Sequence, residues 1–535
     1  MDLWHAIYPR RRRHDGYSRP AQRRQLAQRV HRRTTSHRRL LARAARARQL
    51  SRRLRGLCSS VSRVCHRANH RIKKGGSVAC FNSAIKPGLR ALATLCLYCA
   101  LPAVALDKPH ILVFLADDLG WNDVGYHGSH IQTPNIDQIA SAGIELDRFY
   151  VQPTCSPTRT ALMTGKSPIS LGVIGPINKH SRNSVPLEEK LLPEYLNEQG
   201  YQSFLVGKWH LGKRTRAHLP NARGFEHAYG SLTGGVGYWS KIHGGGYDWH
   251  RNGEVVRETG YVTHLVVDEI RALIAARRVE QPNFMYVAFQ APHLPNEAPA
   301  ATIEKYGHLE EGRAVHAAMV DEMDVAIGEI LHIYEEADML NNTIVFFMSD
   351  NGGAVPPNPD PALQSPPEKL ALMLDSWFGR PIPPFPIPGL EFITSNVLDG
   401  RSDNAPLPGG KTQLWEGGVR VPAAIWMPGK LEQSQHVGFF SVSDVLPTLL
   451  DLVGASAVIP ADLQGRSQVA ALTGNPTKPA DYVVADLLDG FALYHWPWKF
   501  VDKGEMMLFH LVDDPLEQNN VLDDFPEVAA DLDRR

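Results

Sequence analysis

His110-Ile111-Leu112-Val113-Phe114-Leu115-Ala116 runs directly into Asp117-Asp118. The run has strand length, does not alternate polar with apolar, and ends in two adjacent carboxylates. That pattern belongs to a strand buried on both faces, as in a parallel sheet. Three further runs repeat it. Phe204-Leu205-Val206 meets Gly207-Lys208-Trp209-His210, Phe284 to Phe289 meets Gln290-Ala291-Pro292-His293, and Ile344 to Met348 meets Ser349-Asp350-Asn351-Gly352-Gly353. Helical patterns fall between them. Pro134 to Ala142 follows Thr133, a cap with proline in the first turn. Leu187 to Gln199 precedes the stop signal Gly200. His316 to Tyr334 sets Met319, Met323, Ile327, Ile330 and Tyr334 on one stripe. Strand alternating with helix predicts an α/β fold with a large, mainly parallel sheet flanked by helices. In such folds sites gather beyond the carboxyl ends of the strands, so the four polar clusters are expected to converge.

The whole chain has 535 residues, 43% of them hydrophobic, which excludes a disordered chain and allows one to three domains. Its net charge of +1 hides a split: residues 1–74 carry 23 Lys/Arg and two acids, leaving 34 basic against 54 acidic groups for the rest. An acidic body argues against nucleic-acid binding. Lys86 to Arg90 is a short basic flank, and Ala91 to Ala105 is apolar and ends in Ala103-Val104-Ala105. This reads as a secretory signal peptide, too short at about 15 apolar residues for the roughly 20 of a bilayer span. Four parts result. Residues 1–77 are an Arg-rich extension, disordered or never translated if synthesis starts near Val78. Residues 78–105 are the signal peptide. Residues 106–480 are expected to form the main domain, with a Pro-rich insertion at 354–402, and 481–535 a C-terminal subdomain. The product is expected to be exported, periplasmic or secreted, with no stable membrane anchor. Five of six cysteines (Cys58, Cys65, Cys80, Cys96, Cys99) precede residue 100, so the mature chain keeps Cys155 alone.

Asp117, Asp118, Asp350 and Asn351 are hard oxygen ligands. Adjacent carboxylates repel unless a cation or hydrogen bonds neutralise them. Singly, Asp-Asp and Asp-Asn-Gly-Gly are turn sequences. At two strand ends together they favour a metal, Ca²⁺ or Mg²⁺ rather than Zn²⁺. A lone cysteine is most often a small buried apolar residue. Here Cys155-Ser156-Pro157-Thr158-Arg159 is polar, and Arg159 follows by one helical turn. Lys208, His210, His293 and Lys411 add cations and proton donors. Around a divalent cation this set suits an anionic tetrahedral group.

Cys155-Ser156-Pro157-Thr158-Arg159 resembles the C-x-P-x-R signature of the type I sulfatases, in which the cysteine is oxidised to formylglycine. Gly207 to Gly212 resembles their second signature. Asp117-Asp118, His293, Asp350-Asn351 and Lys411, within Gly409 to Arg420, follow in the family's order. The likeness runs from about Lys108 to about Asn520. Pro134-Asn135-Ile136-Asp137, Leu191 to Leu196 and Leu414-Trp415-Glu416-Gly417-Gly418 are most similar to the arylsulfatase B group, which removes 4-sulfate from N-acetylgalactosamine. The resemblance implies the alkaline-phosphatase-like sulfatase fold with a small C-terminal antiparallel sheet and helix. It implies Ca²⁺, ahead of Mg²⁺, on Asp117, Asp118, Asp350, Asn351 and residue 155. It implies a hydrated aldehyde at residue 155, activated by metal and Arg159, attacking sulfur. It assigns Lys208 to sulfate oxygens, His293 with Lys411 to protonation of the leaving alcohol, and His210 to the proton of the second hydroxyl. Partners implied are a sulfated saccharide or aryl sulfate and a formylglycine-generating enzyme.

Relatives keep the Asp-Asn-Gly-Gly and Gly-Gly-Lys blocks close, whereas here Ala354 to Ser402 intervene. A loop this long is expected either to rim the site, with Trp377, Phe378 and Phe385 as candidate contacts, or to be a surface excursion. Gly230 to Gly253 carries Tyr238, Trp239, His243, Tyr247, Trp249 and His250, suited to sugar rings or to core packing. Beyond Asp481, short strands read as a meander. Three competing functions stand beside the sulfatase reading: a phosphonate or phosphate-ester hydrolase of the same fold, an unmodified saccharide-binding homologue, and a nucleic-acid binder acting through the Arg-rich arm.

Overall fold

The computed structural model describes residues 108–178, 181–243, 246–357, 366–378, 398–475, 478–486 and 490–535. The expectations for residues 1–105, for Phe385 and for the side chains of Trp377 and Phe378 fall outside these. No helix among the described residues is long and apolar enough to cross a membrane.

The main sheet is built, in chain order, from β1 (His110–Ala116), β2 (Ile144–Leu146), β3 (Gln202–Gly207), β4 (His227–Gly230), β5 (His250–Arg251), β6 (Glu254–Val255), β7 (Asn283–Ala288), β8 (Thr343–Ser349), β9 (Ala423–Trp426) and β10 (Ser434–His436). Its order is β10-β2-β9-β8-β1-β7-β3-β4-β5-β6. The five central strands, β8, β1, β7, β3 and β4, run parallel. Antiparallel β9 closes one side and antiparallel β5 the other. Along β1, Ile111 stands opposite Phe284 and Ile344, and Leu115 opposite Ala288 and Met348.

Successive side chains of a strand point to opposite faces. Both faces of β1 are dry. Ile111, Val113 and Leu115 enter one core with Phe284, Tyr286, Phe346 and Met348. Leu112, Phe114 and Ala116 enter the other with Met285, Val287 and Phe347. That is why the run shows no alternation in sequence. Each large side chain so buried contributes about 1.5–3 kcal/mol.

The helices of seven residues or more are α1 (Pro134–Ala142), α2 (Cys155–Thr164), α3 (Leu192–Glu198), α4 (Val262–Ala276), α5 (Glu311–Glu336), α6 (Pro366–Phe378), α7 (Val445–Leu452) and α8 (Pro526–Arg534). The stripe Met319, Met323, Ile327, Ile330, Tyr334 on α5 lies in the second core as expected, though the helix extends beyond 316–334 at both ends. α3 is shorter than the expected 187–199 because Pro193, which lacks an N–H, stands in its first turn. Tyr238 and Trp249 of the Gly- and aromatic-rich segment are core residues, while Trp239 is half exposed.

Four antiparallel strands form the C-terminal sheet: β11 (Tyr482–Ala485), β12 (Phe491–His495), β13 (Trp498–Asp502) and β14 (Met506–His510). One face packs Leu493, Phe500 and Leu508 on Ala529 and Leu532 of α8. The other adds Tyr482, Tyr494, Val501 and Phe509 to the first core. Lys499 fastens this sheet to the segment that carries Lys411. Its Nζ lies 3.2 Å from Glu416 Oε1 and 2.5 Å from Glu517 Oε1, all three side chains being essentially inaccessible. Tyr150 and Tyr494 hydroxyls donate to Glu416 Oε2 and Oε1 at 2.8 and 3.1 Å, and the Glu416 N–H donates to Glu517 Oε2 at 2.7 Å.

Candidate active site

The parallel strands bring the polar clusters to one end of the sheet. Adjacent β1 and β8 deliver Asp117, Asp118, Asp350 and Asn351. β3 delivers Lys208 and His210, and β7, between β1 and β3, delivers His293. Gly207 makes the exit from β3 feasible: at φ 119° a Cβ there would stand 1.8 Å from the Ala288 carbonyl oxygen. α2 begins at Cys155, which is buried, and Arg159 follows one turn later with no exposure. The Ser156 hydroxyl donates to the His210 carbonyl at 2.9 Å, tying α2 to the β3 exit.

All ten expected site residues meet here. Arg159 Nε and Nη2 donate to Asp350 Oδ2 at 2.9 and 2.8 Å, and Nη1 to the Lys208 carbonyl at 3.0 Å. Lys208 Nζ donates to Asp117 Oδ2 and Lys411 Nζ to Asp118 Oδ2, each at 2.6 Å. Asn351 Nδ2 donates to Asp118 Oδ1 at 2.8 Å. Asp117 Oδ1 and Asn351 Oδ1 are buried with no hydrogen-bond partner. Buried oxygens are seldom left so, and two of them beside Asp118 and Asp350 make a donor set that fits a hard cation. Donor atoms of Asp117, Cys155 and Asp350 lie within 4.8 Å of one another, as do those of Asp117, Asp118 and His293.

Electrostatics agrees with that fit. Burial, reinforced by the charge of Asp350, pushes the Asp117 carboxyl well above the usual range against Lys208 and Arg159. Burial also acts upward on Asp118, but Lys411, His293 and Lys208 hold it below the usual range. Burial raises the Cys155 thiol, against Lys208 and Lys411, so the unmodified residue is a protonated thiol and a poor nucleophile.

Each histidine has one nitrogen committed. Nδ1 of His293 donates to the Leu294 carbonyl at 2.6 Å, which leaves Nε2 facing Asp118 Oδ2 at 3.6 Å. Nε2 of His210 donates to the Ile177 carbonyl at 3.0 Å, leaving Nδ1 buried and unpartnered. Burial lowers both rings, helped for His293 by Lys411 and for His210 by Lys208 and Arg159.

Several residues that shape the site carry no local sequence signal. Gly234 and Gly235 lie against the two rings: a Cβ on Gly234 would stand 2.7 Å from His210 Cε1, and one on Gly235 3.0 Å from His293 Cε1. The Tyr238 hydroxyl fixes this segment by donating to the Gln290 and His293 carbonyls at 2.8 and 2.9 Å. Gln290 Nε2 is buried without a partner. Asn404 joins both ends of the long insertion, accepting from the Gly353 N–H and donating to the Gly353 and Gly409 carbonyls, each at 3.0 Å. The glycine richness of 230–253 was the one available clue. Asn404 offered none.

Known proteins resemble the chain over this same region. The family model described as Sulfatase matches residues 109–455. Arylsulfatase J of Mus musculus is 32% identical over 369 residues, 67% of this chain, and the match spans 54% of that protein's length. N-acetylgalactosamine-6-sulfatase of Homo sapiens is 31% identical over 74% of this chain and 73% of its own. The crystal structure of Ps i-CgsB in complex with k-i-k-neocarrahexaose superposes with TM-score 0.68 at 28% identity, covering 80% of this chain and 91% of that one. The matched span holds every residue of the cluster from Asp117 to Lys411, and the chain belongs to the sulfatase family, among the sulfuric ester hydrolases.

Proposed function

We propose that the chain hydrolyses sulfate esters of saccharides and releases inorganic sulfate. One observation carries the reading: Arg159, Lys208, Lys411 and His293 gather on Asp117, Asp118 and Asp350 next to Cys155, with His210 beside them, where Asp117 Oδ1 and Asn351 Oδ1 are buried without partners. A sulfate monoester needs fixed cations around the charge that develops at its oxygens, and an acid for a poor leaving group. Arg159, held by Asp350 and a backbone carbonyl, is a preorganised cation beside residue 155. Lys208 and Lys411 place two ammonium groups at the same end of the sheet for the sulfate oxygens. Protonation of the departing alcohol oxygen falls to Lys411 and to Nε2 of His293, which carries a proton only when the ring, its Nδ1 held by the Leu294 carbonyl, is the imidazolium. His210, its Nε2 locked, has Nδ1 ready to take a hydroxyl proton from residue 155. Asp117, Asp118, Asp350 and Asn351 would hold Ca²⁺, which supplies further positive charge at the ester. Conversion of Cys155 to formylglycine would supply a hydrated aldehyde, and so a hydroxyl nucleophile in place of the protonated thiol.

N-acetylgalactosamine-6-sulfatase and the neocarrahexaose complex support a saccharide, and the Leu414 to Gly418 block a galactosamine 4-sulfate. Export after removal of residues 78–105, maturation by a formylglycine-generating enzyme and the partition at residue 481 belong to the same proposal. The test uses protein whose conversion at residue 155 is verified by mass spectrometry. Turnover of 4-nitrophenyl sulfate is compared with that of the phosphate, then of N-acetylgalactosamine 4-sulfate with that of the 6-sulfate. Faster cleavage of the sulfate is expected. Converted, calcium-loaded protein that cleaves aryl phosphate but leaves every sulfate ester intact would overturn the reading.

A further inference from the structure

Beyond the reactive cluster, the charge of the body is unevenly placed. Residues 75–535 carry 34 basic and 54 acidic groups, yet neither 148–187 nor 199–225 contains a single Asp or Glu. The two stretches lie side by side. The Val185 N–H donates to the Leu211 carbonyl at 3.1 Å, and Gly212 packs so closely on Ser184 that a Cβ would stand 2.3 Å from the serine Cβ. The Ile177 N–H donates to the Ser156 hydroxyl at 3.0 Å, so this double segment starts beside residue 155.

Its outer part is a run of exposed cations. Arg182 on one stretch and Lys213, Arg214 and Arg216 on the other are all exposed. Among the described residues no carboxylate pairs with Arg182, Lys213 or Arg214. Arg216 reaches Glu254 only at 3.9 Å with both side chains almost wholly in solvent, a pair of small consequence. Lys213 acts on the charge of Asp248, which is itself occupied by His250 and by Thr233, next to the Gly234 that covers His210. Lys213 is three residues past His210, and three residues of chain reach at most about 10 Å. Four exposed cations, of which Arg216 alone has a carboxylate within 4 Å among the described residues and that one at 3.9 Å, thus follow the double segment outward from a site for an anionic ester.

We propose that Arg182, Lys213, Arg214 and Arg216 bind further sulfate groups of the same saccharide chain, so that the substrate is a multiply sulfated oligosaccharide or polysaccharide. The inference rests on the sulfatase reading above and adds the substrate class to it. Arginine and lysine suit sulfate here because the contacts are exposed and several in number, and each is weak alone. Such binding falls steeply with salt.

The experiment uses the full chain with residue 155 converted, and the variant Lys213→Ala/Arg214→Ala/Arg216→Ala. Dextran sulfate serves as competitor in 4-nitrophenyl sulfate hydrolysis. The small ester is expected to turn over alike in both proteins, whereas inhibition by dextran sulfate weakens about tenfold in the variant. Raised salt should erase that difference, and unsulfated dextran should inhibit neither protein. Equal inhibition of both proteins by dextran sulfate overturns the proposal. So does a variant that keeps dextran sulfate binding but loses binding to phosphatidylserine vesicles, which would make the face a membrane surface. Direct calorimetric titration of dextran sulfate into Cys155→Ala protein, with and without the three substitutions, reads the surface without turnover. Failure of the sulfatase reading, which shows as no aryl sulfate cleavage by converted protein, is thereby told apart from failure of the surface.

Discussion

Replacing Lys499 by methionine removes one ammonium from between two carboxylates. Lys499 has no solvent exposure, and Glu416 and Glu517 have almost none. Methionine fills most of the volume of the lysine stem, so the loss is chiefly electrostatic. Glu416 retains two tyrosine hydroxyls and Glu517 retains one N–H, but at pH 9, above the value of about 7 to which the Glu517 carboxyl is raised, two negative charges then face each other without water. Breaking a buried pair in this way costs about 3–5 kcal/mol. Urea unfolding followed by tryptophan fluorescence should show a lower midpoint at unchanged slope. The double variant Lys499→Met/Glu517→Gln should recover part of the loss, because one charge then remains where two stood. Because Glu416 lies five residues past Lys411, turnover should fall even where the protein stays folded. A loss below about 1 kcal/mol would refute the argument, since it would mean that the carboxylates reach water or become neutral at little cost.

Glu517 itself gives a pH test. Burial, with the charge of Glu416 and against Lys499, raises its carboxyl from 4.5 to about 7. A raised acid binds its proton more tightly folded than unfolded, so its contribution is fullest below 4.5 and is lost as pH rises towards 7. Glu517→Gln should therefore gain stability relative to the parent over that window in melting curves, and a constant difference would contradict it. Gly234→Ala should place a methyl against His210, whose Nε2 is held by Ile177, and lower kcat/KM by up to about 100-fold with little change in Tm. Unchanged kinetics would show that the ring yields freely. Calcium at about 100 times its Kd should add about 2.7 kcal/mol of stability, reversed by a chelator. Asp117→Asn should reduce that increment, because it removes the charge of a carboxylate whose Oδ1 is buried without a partner. A chelator-insensitive Tm in the parent would speak against the metal.

The central strands and the residues at their ends were legible because each reports its own surroundings. β1 is apolar at every step because both faces are dry, and Asp117-Asp118 marks where the sheet stops. Helix limits were less legible: Leu187 to Leu191 reads as helix by composition, and Pro193 decides otherwise. The short outer strands β2, β9 and β10 left no pattern long enough to read. Lys499, Glu416 and Glu517 were invisible for a different reason. They meet across as much as 101 residues of chain, and a charged residue far from its partner looks like any solvated one. Gly234 and Gly235 belong to the same class, since what requires glycine there is a ring contributed by another strand.

The two dry faces of β1 also restrict how this protein can change length. Adding or deleting one residue between His110 and Ala116 would exchange the contents of both cores and displace Asp117 and Asp118 together, with no wet side to absorb the error. The connections carry no such constraint: the long stretch from Ala354 to Ser402 separates Gly353 from Asp403 in sequence, while Asn404 still ties Gly353 to Gly409. In this framework added length is therefore tolerated in what joins the strands and not in the central strands themselves.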